Sequence, residues 1–278
     1  MLFPTTHVCR TLVCAAALMQ GIAVAGPIRK NEDSSITRRG GVGFAKGIWL
    51  RIMPLGASIT YGYTSNDGNG YRNYLRDQIV DYGNPVNMVG SRRNGTMEDN
   101  DVEGWPGYII DQVHTKAKTA VSKASILDVY KPNVVLINVG TNDCSGNIDL
   151  PNAGKRMSSL IDDVYKGSPR ATIILSTLLV RSDEEKQECV EDLNSQFKTV
   201  AAAQRANGRR LVLVDMQPPA GPTADELVDG THPNEVGYDK MAAIWFDGIK
   251  EADDSGFLLT KEAIAGNPDG VPDRGVYG

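Results

Sequence analysis

Ile48-Trp49-Leu50-Arg51-Ile52-Met53-Pro54-Leu55-Gly56-Ala57-Ser58-Ile59-Thr60 is an apolar run that breaks at a glycine and delivers a serine two residues later. Apolar stretches of four to eight residues bounded by glycine have the pattern of a strand buried on both faces. Residues 48–55 form the first such run, and four others follow at 86–90, 133–140, 171–180 and 210–215. Between them, apolar residues recur at helical spacing over 71–82, 109–127, 153–165, 184–205 and 235–249. Strand and helix alternate throughout, which predicts an α/β fold: a three-layer α/β/α sandwich around a five-stranded parallel sheet. In such sheets the reactive groups collect beyond the carboxyl ends of the strands. That edge should gather Ser58 after the first strand, Gly90 after the second and Gly140-Thr141-Asn142-Asp143 after the third. It should also receive the loop Asp229-Gly230-Thr231-His232-Pro233, which precedes the last helix.

A serine hydroxyl is a poor nucleophile at neutral pH. It needs a neutral imidazole to take its proton and an acid to hold that imidazole in the right tautomer. Ser58, His232 and Asp229 supply the three parts, with the acid three residues before the base so that one loop presents both. Because the base must be neutral imidazole, activity is expected to fall as the pH drops. His232 is the base largely by elimination: His7 lies in the expected signal peptide at residues 1–25, and His114 falls inside a predicted helix, where a histidine is more simply structural or solvated. Asp225 and Glu226 read as a solvated acidic loop. The serine string is not a Gly-x-Ser-x-Gly elbow, since Thr60 occupies the second glycine position. Gly140-Thr141-Asn142-Asp143, taken alone, reads equally well as a turn after a buried strand.

At these four blocks the chain resembles the SGNH (GDSL-type) hydrolases, whose separated motifs supply a serine, a glycine, an asparagine and a histidine. The resemblance runs from about Arg51 to Ile249 and implies the flavodoxin-like SGNH fold. It makes Ser58 the nucleophile and Asp229 with His232 the rest of the triad. It makes the Ser58 and Gly90 backbone N–H groups and the Asn142 amide the oxyanion hole, glycine at 90 leaving the approach open. Met53-Pro54-Leu55-Gly56, Gly70-Tyr71-Arg72, Glu103-Gly104 and Asp229-Gly230-Thr231-His232-Pro233 look further like the acetyl xylan esterases of carbohydrate esterase family three. That narrower likeness implies a carboxylic ester hydrolase acting on small acyl, chiefly acetyl, esters of a plant cell-wall polysaccharide such as xylan. Trp105 would touch the substrate, although aromatics in such segments more often belong to the core. One position departs: the family usually has aspartate where this chain has Ala57. The departure bears on the hydrogen bonding that steadies the serine turn, and activity is expected to survive it. Two alternatives stand beside this reading, a lipolytic or lysophospholipid esterase and a carbohydrate-binding homologue weakened by Ala57.

The outer segments point to export. Residues 1–25 combine a weakly basic start ending at Arg10, an apolar run from Leu12 to Val24 and an Ala23-Val24-Ala25 close, the pattern of a secretory signal peptide. The run is well short of the ~20 residues that a spanning helix needs, so no membrane association is expected. Residues 26–47 form a polar leader, with Arg38-Arg39 open to reading as a pro-segment cleavage point or as solvated charge. Residues 48–252 form one esterase domain, and 253–278 a loose C-terminal extension rich at its end in Gly, Pro and Asp. Without residues 1–25 the chain keeps 28 basic and 34 acidic residues, a net charge of −6, and nucleic acid is not an expected partner.

Cys9 and Cys14 leave with the signal peptide, so Cys144 and Cys189 remain as one expected disulfide of an extracellular protein, the alternative being two buried thiols. Asn94-Gly95-Thr96 is a glycosylation acceptor. No cysteine and histidine cluster suggests zinc, and Asp67-Gly68-Asn69-Gly70 lacks the spacing of a calcium loop. Neither a metal nor another cofactor is expected, and the chain is expected to be a monomer acting on an acylated carbohydrate.

Overall fold

Seven strands form the sheet among the residues that the computed structural model describes, which are 43–118 and 129–264. The expected signal peptide, the leader as far as residue 42 with Arg38-Arg39, the expected helix beyond residue 118 and the tail from residue 265 lie outside the described residues. The strands are β1 (Leu50–Gly56), β2 (Val86–Met88), β3 (Arg92–Arg93), β4 (Asp101–Gly104), β5 (Val134–Asn138), β6 (Thr172–Ser176) and β7 (Leu211–Val214). The five expected strands are all present and parallel, in the spatial order β2-β1-β5-β6-β7.

Period-two alternation divides the apolar residues between the two faces of the sheet. Met53, Leu55, Val135, Ile137, Ile173 and Leu175 pack on one side against the helices Ile110–Lys118, Ala153–Gly167 and Glu184–Ala206. Leu50, Ile52, Val134, Leu136, Ile174 and Val212 pack on the other against Tyr71–Tyr82 and Glu235–Asp254. Every residue of β1, β5 and β6 is buried, as a sheet covered on both faces requires. Local chemistry sets the helix ends. Asp183 accepts from the Lys186 N–H (2.9 Å) and Asn234 from the Gly237 N–H (3.0 Å), each at a helix start, while Gly83 ends Tyr71–Tyr82 at φ 114°.

The sheet has two strands more than the five expected, the hairpin β3-β4. β4 runs parallel to β1, pairing Leu55 with Glu103 and Gly56 with Gly104, and β3 returns antiparallel to it. Its sequence, Asp-Val-Glu-Gly, carries two buried carboxylates and no apolar run, so hydrophobic periodicity passes over it. The hairpin also explains a proline in the middle of a central strand. Leu50 donates to Pro85 O, Ile52 O accepts from Val89 and Gly56 O from Trp105, so the even-numbered residues of β1 turn their backbone toward β2 and β4. Pro54, which has no N–H to donate, falls in the interval where β2 has ended and β4 has not begun.

Candidate active site

β1 ends at Gly56, where a β-carbon would overlap both the Asn138 carbonyl oxygen and Thr60 Oγ1. Glycine alone lets the chain pass this close to the end of β5 and turn at once. Ser58 opens the single helical turn Ser58–Tyr61, half-buried, with the Tyr61 N–H on Ala57 O and the Tyr63 N–H on Ser58 O, both 3.0 Å. The carbonyl of Tyr61 accepts from Asn94 Nδ2 (2.8 Å) and from the Arg72 guanidinium (3.3 Å). Arg72 is fully buried and also donates to Gly68 O, Asn94 O and Asn100 O at 2.8–3.1 Å, so one cation joins four loop carbonyls beneath the serine turn. Ala57 is buried, and backbone hydrogen bonds of the turn do not call on its side chain.

The second half of the site comes from the loop between β7 and the last helix. Its Val228 N–H donates to His232 O (2.8 Å) and its Asn234 N–H to Glu226 O (2.8 Å), which closes residues 226–234 into a tight excursion. Glu226, expected as a solvated acid, instead completes a capping box with Thr223 and pairs with Lys240 at 2.7 Å, so it fixes the base of this loop. His232 Nε2 lies 2.7 Å from Ser58 Oγ, and its Nδ1 lies 2.8 Å from Asp229 Oδ2. The Thr231 and His232 backbone N–H groups also donate to Asp229 Oδ1, at 3.1 and 2.9 Å. Burial alone would raise the Asp229 carboxyl, but the His232 ring and these N–H groups outweigh it and hold the group below its ordinary range. Tyr238 donates to Tyr63 O (2.6 Å) and Thr64 Oγ1 to Pro233 O (2.8 Å), stitching the chain after Ser58 to the chain after His232. The Tyr63 ring meets the imidazole edge on, with centroids 4.8 Å apart.

Asn142 stands on the short helix Thr141–Gly146 directly after β5, its amide held by one bond from Nδ2 to Tyr108 O (2.9 Å). Its neighbours are anchors. Asp143 is fully buried, accepts from Arg156 (2.6 Å) and from the Ile110 N–H (3.1 Å), and is pushed upward by burial against those two donors. Cys144 is disulfide-bonded to Cys189 on the helix Glu184–Ala206, as the cysteine count predicts. Gly90 lies two residues past β2, where a β-carbon would overlap Val102 and the Glu103 nitrogen. Close packing of the segment after β2 against β4 therefore requires glycine at 90.

Trp105 follows β4, its backbone N–H on Gly56 O (2.9 Å) and its indole Nε1 on Glu103 Oε1 (2.7 Å). Glu103 is buried, which raises its carboxyl against the opposing Ser91 N–H and indole donors. Trp105 stacks on Tyr108 with centroids 5.4 Å apart, and the cations of Arg92 and Lys116 lie over its ring. Motif reading missed Arg72, Tyr63, Arg92 and Lys116. Only Arg72 carried a signal, as part of Gly70-Tyr71-Arg72.

Other candidates stand apart. His114 pairs with Asp163 (2.8 Å) between two helices, the structural place expected of it. Asp67 accepts from the Asn69 N–H (2.8 Å) in a turn. Asn94 Nδ2, the atom a glycan would use, donates to both Tyr61 O and Gly68 O at 2.8 Å, so a sugar there competes with two hydrogen bonds. Among the described residues no group of three or more His, Cys, Asp or Glu is placed to hold a metal ion, and no helix is long and apolar enough to cross a membrane.

Comparison with known proteins agrees with the motifs. Residues 55–240 match the model of the GDSL-like lipase/acylhydrolase family. A multidomain esterase of Ruminococcus flavefaciens is 27% identical over 225 residues, which is 72% of this chain and 28% of that protein. An Acetivibrio thermocellus protein described as a putative endoglucanase X is 28% identical over 123 residues, 43% of this chain and 51% of its own length. The chain thus spans about half or less of these relatives. Among solved structures, a family 3 carbohydrate esterase of Clostridium thermocellum superposes with a TM-score of 0.64 at 24% identity, covering 74% of this chain and 98% of that one. A family 3 carbohydrate esterase of Talaromyces cellulolyticus gives 0.61 at 22% identity, covering 74% and 99%. At these identities the superpositions establish the fold. The chain belongs to the GDSL-like lipase/acylhydrolase family.

Proposed function

We propose that this chain is a secreted serine esterase that removes small acyl groups, acetyl above all, from a plant cell-wall polysaccharide such as xylan. The observation that carries the chemistry is the unbroken relay from Ser58 Oγ through His232 to Asp229. Ser58 Oγ attacks the ester carbonyl as His232 Nε2 takes its proton, and Asp229 keeps the other ring nitrogen protonated and the ring in place. Negative charge that develops on the carbonyl oxygen meets the Ser58 and Gly90 N–H groups and the free N–H of the Asn142 amide. Collapse breaks the bond to the sugar oxygen, which takes the proton from His232 to leave as a hydroxyl, and an acyl-serine remains. Water, activated by the same imidazole, then releases the carboxylic acid and restores Ser58.

The polysaccharide, the acetyl group and export rest on likeness: on a relative described as a multidomain esterase, on neighbours described as family 3 carbohydrate esterases and on the signal-peptide pattern at residues 1–25. Residues 48–252 are the proposed catalytic domain. Acetate release from acetylated xylan and hydrolysis of 4-nitrophenyl acetate test the proposal together. Wild type should turn over both, and Ser58→Ala should lose roughly 10⁴-fold or more in kcat on each. Equal rates for Ser58→Ala and wild type would overturn it.

A further inference from the structure

We propose that Arg92 and Lys116 receive a carboxylate carried by the substrate, so that the preferred polymer is an acylated polysaccharide bearing uronic acid units. The inference rests on the esterase reading above and specifies its substrate. Most cations near this end of the molecule are matched: Arg76 pairs with Asp99, Arg93 with Asp101, Arg156 with Asp143 and Lys240 with Glu226. Arg92 and Lys116 form no such pair, and the one acid felt by Arg92 is the buried Glu103, whose charged form it favours from beyond contact distance. Among the described residues neither enters an ion pair, in a chain where acids outnumber bases by five. Arg92 spends one N–H on Gly104 O (2.9 Å) and lies 4.5 Å from the Tyr61 ring centroid and 4.7 Å from that of Trp105. Lys116 Nζ lies 4.2 Å from the Trp105 ring. Glu103, the carboxylate of this cluster, is turned inward and bound to the Ser91 N–H and the indole.

The pair is also in the right place. Trp105 is bonded to Gly56, two residues before Ser58, Tyr61 ends the serine turn, and Tyr108, stacked on Trp105, holds Asn142 through its carbonyl. The two cations therefore sit on the wall that joins the nucleophile to the Asn142 amide. Cation–π contact holds each head group over an aromatic ring without neutralising it. The same contacts occupy ring surface that a neutral sugar would otherwise stack on. What they leave available is positive charge, and a sugar carboxylate is its complement.

The test compares an acetylated, uronate-bearing xylan with the same polymer after its carboxylates have been reduced to alcohols. The readout is the ratio of kcat/KM on the two, which does not depend on the amount of active enzyme. Wild type should favour the acidic polymer roughly three- to tenfold at low salt, the range two partly exposed ion pairs supply, and lose the preference near 1 M salt. Lys116→Gln and Arg92→Gln should each bring the ratio toward one. A wild-type ratio of one, or a ratio unchanged in both variants, overturns the inference while leaving the esterase reading in place. Failure to release acetate from either polymer overturns the esterase reading itself and this inference with it.

Discussion

Ser58 and Asn142 both ride on helices too short to stand alone, Ser58–Tyr61 after β1 and Thr141–Gly146 after β5, yet the two are fastened by different means. On the serine side the anchor is a set of hydrogen bonds. Arg72 and Asn94 hold the Tyr61 carbonyl from below, and Gly56 and Gly104 let β1, β4 and the turn approach without side chains between them. On the asparagine side the anchors are an ion pair and a covalent bond, Asp143 with Arg156 and Cys144 with Cys189. Ser58, the proposed nucleophile, which meets His232 at 2.7 Å, is thus set by many bonds acting together, whereas Asn142, the proposed oxyanion donor, is pinned at two points beside it. The contrast explains how the serine turn keeps its form with Ala57 where the resembling family usually has aspartate: the turn's backbone and Arg72 already satisfy it.

The comparison breaks most decisively at Arg72. Arg72→Met takes a charge-assisted donor from each of four carbonyls, three of which keep a second donor from Asn94, and should cost about 3–5 kcal/mol of stability, read as the urea midpoint, with loss of activity in whatever folds. On the other side, Cys144→Ala with Cys189→Ala removes a cross-link between residues 45 apart, which in the chain-entropy model contributes about 4 kcal/mol. Thermal denaturation should show that loss, while kcat on 4-nitrophenyl acetate below the transition stays within about twofold because Asp143 still holds the helix. Asn142→Ala should leave the melting temperature near wild type and lower kcat roughly a hundred- to thousandfold, or about 3 kcal/mol of barrier, with KM little changed.

Asp99, on the serine side, sharpens the contrast through pH. Burial outweighs the Met88 N–H and Arg76 and pushes its carboxyl up to about 6. A group raised on folding binds its proton more tightly in the native state, so its contribution to stability is greatest below pH ~4 and declines as pH rises toward 6. Asp99→Asn should remove on the order of 3 kcal/mol of that change, visible as a flatter plot of unfolding free energy against pH between 4 and 6.

Much of this arrangement was legible in the sequence because it is written in periodicity and spacing. The five parallel strands are apolar runs, the helix Tyr71–Tyr82 lies between glycines that fit its two ends, and Asp229 precedes His232 by one helical-turn's spacing that a loop turns into an Nδ1 contact. The hairpin β3-β4 was not, because two of the four buried residues of β4 are the carboxylates Asp101 and Glu103, which break any apolar run. Arg72 stood in the Gly70-Tyr71-Arg72 string but its task did not: its four acceptors are backbone oxygens of Tyr61, Gly68, Asn94 and Asn100, and backbone carries no residue code. Glu226 read as a solvated acid until its lysine, fourteen residues on, came round on the last helix. Buried polar networks are specified by tertiary contact, and no local pattern announces them.

The central claim is that His232, oriented by Asp229, makes Ser58 a nucleophile. It is tested most directly by treating the protein with a fluorophosphonate, which reacts with activated serines, and locating the adduct by peptide mass spectrometry. The account predicts one adduct per chain, on Ser58, forming at least about a hundredfold more slowly in His232→Ala. An adduct on another serine, or labelling of Ser58 at the same rate without His232, would contradict it.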